Sequence, residues 1–172
     1  TYMAHDGVAY FRPRGDITGI QIHGDAGIKK LSDARLYLNF GYGRKFALAA
    51  LNRTGSLLSS VKDIRGFDSS ASEICHIARG AAHVKVEARS YRDEHGKMKG
   101  SDHANLLAAF AIGKPAGLIT TDLDGEALGD SIIDVDQVQD FICASSPELI
   151  DATVQAIQDK IKNMVTANHE NK

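Results

Sequence analysis

Tryptophan is missing from this chain, cysteine occurs twice and proline three times. The missing tryptophan removes the broadest stacking platform for a base or a sugar ring. Cys75 and Cys143 lie far apart, in the apolar contexts EICHIA and DFICAS. They therefore form neither a zinc knuckle nor a disulfide framework, and read as buried, reduced thiols of a cytoplasmic protein. No apolar run reaches the length of a bilayer, and no stretch has the make-up of a secretory leader, so no membrane partner is expected. An excess of positive charge is absent too. Lys and Arg total 20 against 22 Asp and Glu, a net charge of −2, which excludes general nucleic-acid binding. There is no initiator methionine before Thr1-Tyr2. The sequence is accordingly expected to be a processed chain, a cleaved one or a piece of something longer. Its 172 residues suffice for one domain or for half of a larger enzyme.

What is present is an alternation of strands and helices without repeats. Residues 8–12 (VAYFR) and 17–23 (ITGIQIH) flank the turn Pro13-Arg14-Gly15-Asp16 and predict a β-hairpin. ARLYLNF (34–40) alternates as a strand, and RKFALAALNR (44–53) has helical spacing with Phe46, Ala49 and Ala50 on one face. A loop or short helix and then a strand follow over 57–65, and a helix over 70–79 stops at Gly80. AHVKVEA (82–88) predicts a strand, 102–112 a helix ending at Gly113, and 117–122 and 140–145 two further strands. Ser146 and Pro147 suit the N-cap and first position of a last helix striped by Ile150, Val154, Ile157 and Ile161. This order predicts an α/β fold: a layered domain with a mixed, largely parallel sheet flanked by helices, preceded by a hairpin belonging to a second sheet.

Three segments carry candidate chemistry. In DIRGFDSSASEICHIARG (63–80), Ser70 and Glu73 have capping-box spacing. A helix start with free N–H groups and small hydroxyls caps itself, or receives an anion or a sugar hydroxyl. In HVKVEAR (83–89), Lys85, Glu87 and Arg89 share one strand face, either solvated or facing a polar ligand. In MKGSDHANLLAAF (98–110), a flexible basic turn runs into Ser101-Asp102-His103 at the mouth of an apolar helix. Asp102 there either complements the helix dipole or ligates a metal. His103 points about a hundred degrees away from it on a helix, as a surface histidine or one behind the site. Gly41-Tyr42-Gly43 lacks the full phosphate-binding glycine pattern. Asp122-Leu123-Asp124-Gly125 lacks the later ligands of a calcium loop and reads as a turn.

Taken in order, 63–151 resembles the carboxy-terminal half of the inositol monophosphatase-like family, which includes archaeal enzymes acting on inositol phosphates and fructose 1,6-bisphosphate. The residues that carry the resemblance are Arg65 and Asp68-Ser69-Ser70-Ala71 before EICHIARG, then Glu87 and Arg89 on a strand, then Ser101-Asp102-His103-Ala104. ITTDLDGEAL (119–128) and FICASSPELIDATVQAI (141–157) complete the order. The resemblance implies a Mg²⁺-dependent phosphatase acting on a small phosphorylated sugar or inositol. It implies a metal ligand at Asp102 and substrate contacts at Ser69, Ser70, Glu87 and Arg89.

The chain departs from the family at Asp68, where glycine is usual, at Ser101, where Trp or Thr is usual, and at Gly113-Lys114-Pro115. It also lacks the upstream glutamate pair and the Asp-Pro-Ile/Leu-Asp-Gly-Thr motif. Residues 1–32 are thus expected to be a hairpin of a largely absent first domain, and 33–172 the carboxy-terminal α/β domain. The expected function is part of such a phosphatase, inactive as this isolated chain. The alternative is a non-catalytic module of the same fold that binds a ligand or a partner. The hairpin's apolar edge predicts a homo-oligomer.

Overall fold

Leu36 and Leu38 alternate with Tyr37 along β4 (Arg35–Leu38), and all three side chains are buried because both faces of this strand are covered. β4 lies inside a sheet of five strands with β5 (Asp63–Arg65), β6 (Val84–Glu87), β9 (Ile119–Thr121) and β10 (Phe141–Ala144), in the order β5-β4-β6-β10-β9. The sheet is mixed, and the mixture is even. β4 pairs in parallel with β5 and β6, whereas β10 runs antiparallel to both β6 and β9. The computed structural model describes residues 1–40, 43–67, 69–100, 107–128 and 138–170, with side chains to residue 159.

Helices cover both faces. On one, α3 (Ser70–Ala78) places Ile74, Ile77 and Ala78 against Tyr37, Phe141 and Cys143. On the other, Leu149, Ile150 and Ile157 of α4 (Pro147–Glu170) pack with Leu36, Val84, Val86 and Ile142. Ser146 caps α4 as its sequence predicts, its Oγ accepting from Leu149 N at 3.4 Å. Burial pushes the Cys143 thiol up to about 12, so it is an inert core residue, and Cys75 is buried and free as well. Helices α1 (Arg44–Thr54) and α2 (Leu57–Ser60) join β4 to β5.

The amino-terminal hairpin has one strand more than expected. β1 (Tyr2–His5), β2 (Val8–Phe11) and β3 (Ile20–Gln21) form a separate antiparallel sheet, and the tight turn at Asp6-Gly7, both at positive φ, makes β1 possible. Ala9 and Ile22 bury themselves in the α3-side core, while Ile17 and Ile20 stay 92% and 58% exposed.

Two further expectations need correction. Met98-Lys99 is not a loose turn but β8 (Met98–Lys99), paired with β7 (Tyr91–Arg92) because Asp93 Oδ1 accepts from His95 N and Lys97 N and closes the hairpin. Gly113 does not stop its helix. Its φ of −64° is right-handed, and the chain runs on through a π-turn (Ala109–Gly113) and a 3-10 turn (Lys114–Ala116) to Gly117, whose φ of 81° ends it. Gly113 instead lets Leu118 and Ile74 approach. The Asp122 segment is the turn expected of it, Asp122 Oδ1 accepting from Asp124 N and Glu126 N at 2.9 Å each.

His83, just ahead of β6, ties the two ends of this packing. Its buried Nδ1 accepts from Arg35 N at 2.9 Å, and its Nε2 lies 3.7 Å from Asp25. Burial lowers its pKa, and Arg35 and Lys62 add to that against the opposing charge of Asp25. A histidine held neutral by the fold binds a proton in the unfolded state first. Stability therefore falls as pH drops below the ordinary histidine value, until the depressed folded value is passed. Denaturant melts at stepped pH are expected to show this loss, and His83→Gln to flatten it. A residual slope should remain, because burial and Arg79 lower His76 as well.

Candidate functional site

Three elements meet at the carboxyl ends of β4 and β6, where ligands of open α/β sheets bind. Asn39 follows β4, Glu87 ends β6, Arg89 and Ser90 follow it, and α3 begins beside them. All four residues of β6 are buried, so its charged face is not the solvated surface that alternation alone allowed. A central strand has no free face, and Lys85 and Glu87 look into the layer beneath α3.

That layer is a chain of alternating charges. Lys85 Nζ sits 2.9 Å from Glu73 Oε2 and 3.3 Å from Glu87 Oε2, and all three side chains are 0% exposed. Asn39 Nδ2 donates to Glu73 Oε2 at 3.0 Å, and Phe67 N donates to Glu73 Oε1 at 2.7 Å. Ser70 Oγ donates to Glu87 Oε2 at 2.7 Å, and Arg89 Nε donates to Glu87 Oε1. Burial pushes the Glu87 pKa up, but Lys85, Arg89 and the hydrogen bonds from Arg89 and Ser70 outweigh it and hold the carboxyl below the ordinary range. Asn39 Oδ1 is buried without a hydrogen-bond partner among the described residues, and a Cβ on Gly66 would come within 2.9 Å of it.

The capping expectation for Ser70 and Glu73 shifts by one residue. Ser69 is the N-cap of α3, its Oγ accepting from Ser72 N at 3.5 Å, and this frees Ser70 to point at Glu87. Glu73 turns inward to Lys85 instead of back to the cap.

A second polar group adjoins the first. Asp140, ahead of β10, accepts from Ser90 N at 3.1 Å, from Ser90 Oγ and from Arg53 of α1, while Arg53 Nη1 also donates to Ser90 Oγ at 2.9 Å. Burial raises the Asp140 pKa despite these partners, because Asp140 is 8% exposed while Arg53 is 35% exposed and partly screened by solvent.

Of the residues singled out in the sequence, Ser70, Glu87 and Arg89 are in direct contact and Ser69 stands beside them at the cap. Asp102, the expected metal ligand, lies outside the described residues, as do Asp68, Ser101, His103 and Gly41-Tyr42. Asn39, Arg53, Ser90 and Asp140 escaped sequence reasoning, which gave Glu73 a capping role only. The available signal was Glu73 inside the apolar run of EICHIA, a carboxylate on a face that has to be buried.

The described carboxylates do not fit a divalent metal. Glu73, Glu87 and Asp140 each face a cation of the chain, and no three His, Cys, Asp or Glu side chains converge among the described residues. No helix of the described residues is long and apolar enough to cross a membrane.

No family model matches the chain, and no curated protein matches it in sequence. Solved structures do match its fold. Inositol monophosphatase from Anabaena superposes with a TM-score of 0.63 at 16% identity, over 88% of this chain and 54% of that one. A Pyrococcus horikoshii protein described as having similarities to inositol-1 monophosphatase gives 0.60 at 20% identity, over 87% and 52%. SuhB of Mycobacterium tuberculosis gives 0.60 at 19% identity, over 89% and 55%. The chain thus has the fold of inositol monophosphatase-like proteins, of which it spans about half the length.

Proposed function

We propose that the chain is part of a cytoplasmic, Mg²⁺-dependent phosphatase acting on inositol or sugar phosphate monoesters. The observation that supports this most is the start of α3 set against Glu87 and Arg89 at the carboxyl ends of β4 and β6, on an inositol monophosphatase-like fold. In this reading Ser69 offers a hydroxyl and the start of α3 its N–H groups to the sugar, Ser70, buried and bonded to Glu87, backs that helix start, and Arg89 offers positive charge to the phosphate. Glu87, with both oxygens engaged, contributes by holding Ser70 and Arg89 in place. Magnesium, which neutralises charge on a leaving oxygen in such hydrolyses, would have to be held by Asp102 with carboxylates outside the described residues.

The 172-residue chain is therefore expected to release no phosphate from inositol 1-phosphate or fructose 1,6-bisphosphate. The chain extended through its upstream reading frame is expected to do so with Mg²⁺, and to lose that turnover on Asp102→Asn. Turnover by the 172-residue chain alone would refute the reading as a part. The second reading, a non-catalytic module that binds a ligand or partner, is favoured by the internal pairing of Glu73, Glu87 and Asp140. An upstream frame without an Asp-Pro-x-Asp-Gly motif, and an extended chain without turnover, would decide for it.

A further inference from the structure

We propose that Lys85 is a positioning residue of the candidate site, the buried hub that fixes the start of α3 relative to Arg89. The proposal rests on the reading of that helix start and Arg89 as the surface that receives a phosphorylated sugar. Lys85 is 0% exposed and out of a ligand's reach. It acts through two carboxylates on different elements, Glu73 of α3 at 2.9 Å and Glu87 of β6 at 3.3 Å. Each carboxylate passes the restraint on. Glu73 accepts from Phe67 N, in the segment that leads into α3, and from Asn39 Nδ2, just past β4. Glu87 accepts from Ser70 Oγ at the helix start and from Arg89 Nε. Without the ammonium, two like charges would stand on α3 and β6 with no cation between them, and the helix start would shift against the strand that leads to Arg89.

Stability does not account for this arrangement. Replacing a buried ion pair by apolar side chains of similar volume is often neutral or stabilising. Here the pairing is also incompletely satisfied. Lys85 Nζ and Asn39 Oδ1 are both buried without a well-directed hydrogen bond among the described residues, and both side chains converge on Glu73 Oε2. An apolar layer would avoid that cost. What the charges supply, and methylenes do not, is direction. Glu73 and Glu87 must each face the ammonium, and each carries a group of the helix start with it, Phe67 N in one case and Ser70 Oγ in the other.

The charge-balanced variant K85M/E73Q tests the role, because it removes one positive and one negative charge and leaves the net charge of the layer unchanged. In the chain extended through its upstream reading frame, with Mg²⁺ and inositol 1-phosphate, KM is expected to rise at least about tenfold while kcat stays within about threefold, the mark of lost substrate holding. K29M/E148Q, which removes the exposed pair of Lys29 and Glu148, should change neither constant. A second readout needs no turnover. The 172-residue chain is titrated with inorganic phosphate and followed by the NMR shift of Arg89 Nε. The wild type should saturate, and K85M/E73Q should need at least about tenfold more phosphate. E73Q alone cuts the same tie from the side of α3 and serves where the double variant does not fold. It leaves the layer one charge more positive, which by itself favours an anion, so phosphate binding weakened at least about threefold in E73Q reports lost position. If the extended wild type turns nothing over while phosphate binding still weakens in these variants, the phosphatase reading fails and the positioning role stands. Wild-type phosphate affinity in folded K85M/E73Q or in E73Q, a kcat that falls with KM unchanged, an equal KM rise in K29M/E148Q, or a wild type that binds no phosphate would each overturn the proposal.

Discussion

Lys85→Met is expected to destabilise the chain by about 3–5 kcal/mol, the usual cost of removing one partner from a buried ion pair. Methionine nearly matches the volume, so packing changes little and the effect isolates the charge. Lys85, Glu73 and Glu87 are all fully buried, and without the ammonium Glu73 keeps only its neutral donors, Asn39 Nδ2 and Phe67 N. Glu87 keeps Arg89 and Ser70. The double variant K85M/E73Q should therefore recover most of the loss, since it leaves a balanced Glu87–Arg89 pair. The pH dependence carries a matching sign. In the wild type, the low pKa of Glu87 contributes stability that is present above its ordinary value and lost as pH falls through the depressed folded value. In Lys85→Met part of that loss is spared, because Glu87 has already given up the Lys85 charge that helps hold its pKa down. Guanidinium melts at neutral and acidic pH should show the two proteins converging on the acid side. A deficit under about 1 kcal/mol at neutral pH would mean that Lys85 is not the counter-charge of this layer.

Gly100→Ala is expected to cost about 1–3 kcal/mol by overpacking. A Cβ at this position would stand 2.6 Å from Val138 Cγ1, 2.8 Å from Ser90 Cα and 3.0 Å from Ser90 Cβ, and the φ of +158° is one that L side chains rarely adopt. A rotamer change at Val138 relieves only the first contact. Ser90 cannot retreat, because its N–H and Oγ are bonded to Asp140 and its Oγ to Arg53. Val138→Ala should accordingly rescue part of the loss in thermal or denaturant unfolding, and no more than part. The glycine sits two residues before Asp102. On the proposed reading of Asp102 as a metal ligand, the extended protein should lose phosphate release together with stability on this substitution, whereas Lys85→Met acts from beneath the site.

Local pattern made most of the elements legible. Alternation located β4 and β6, apolar spacing located α1 and α3, and Ser146-Pro147 marked the start of α4, because each of these signals depends on neighbours a few residues away. β7 and β8 were not legible, since two residues carry no periodicity, and β1 was not because Tyr2-Met3-Ala4-His5 does not alternate apolar with polar residues. Ser69, Ser70, Glu87 and Arg89 could be named because their order along the chain resembles that of a family. The same spacing could not say that Glu73 leaves the cap for Lys85.

The sequence by itself determined the α/β class, the buried unpaired cysteines, the turn at Asp122 and the gathering of small hydroxyls at one helix start. Tertiary structure decided that β6 is central, that its charged face is therefore dry, and that α3 brings the carboxylate of Glu73 to Lys85 there. The reason is physical: whether a charge on a strand is solvated or must be paired depends on what covers that face, and the cover is a helix whose position no local pattern fixes.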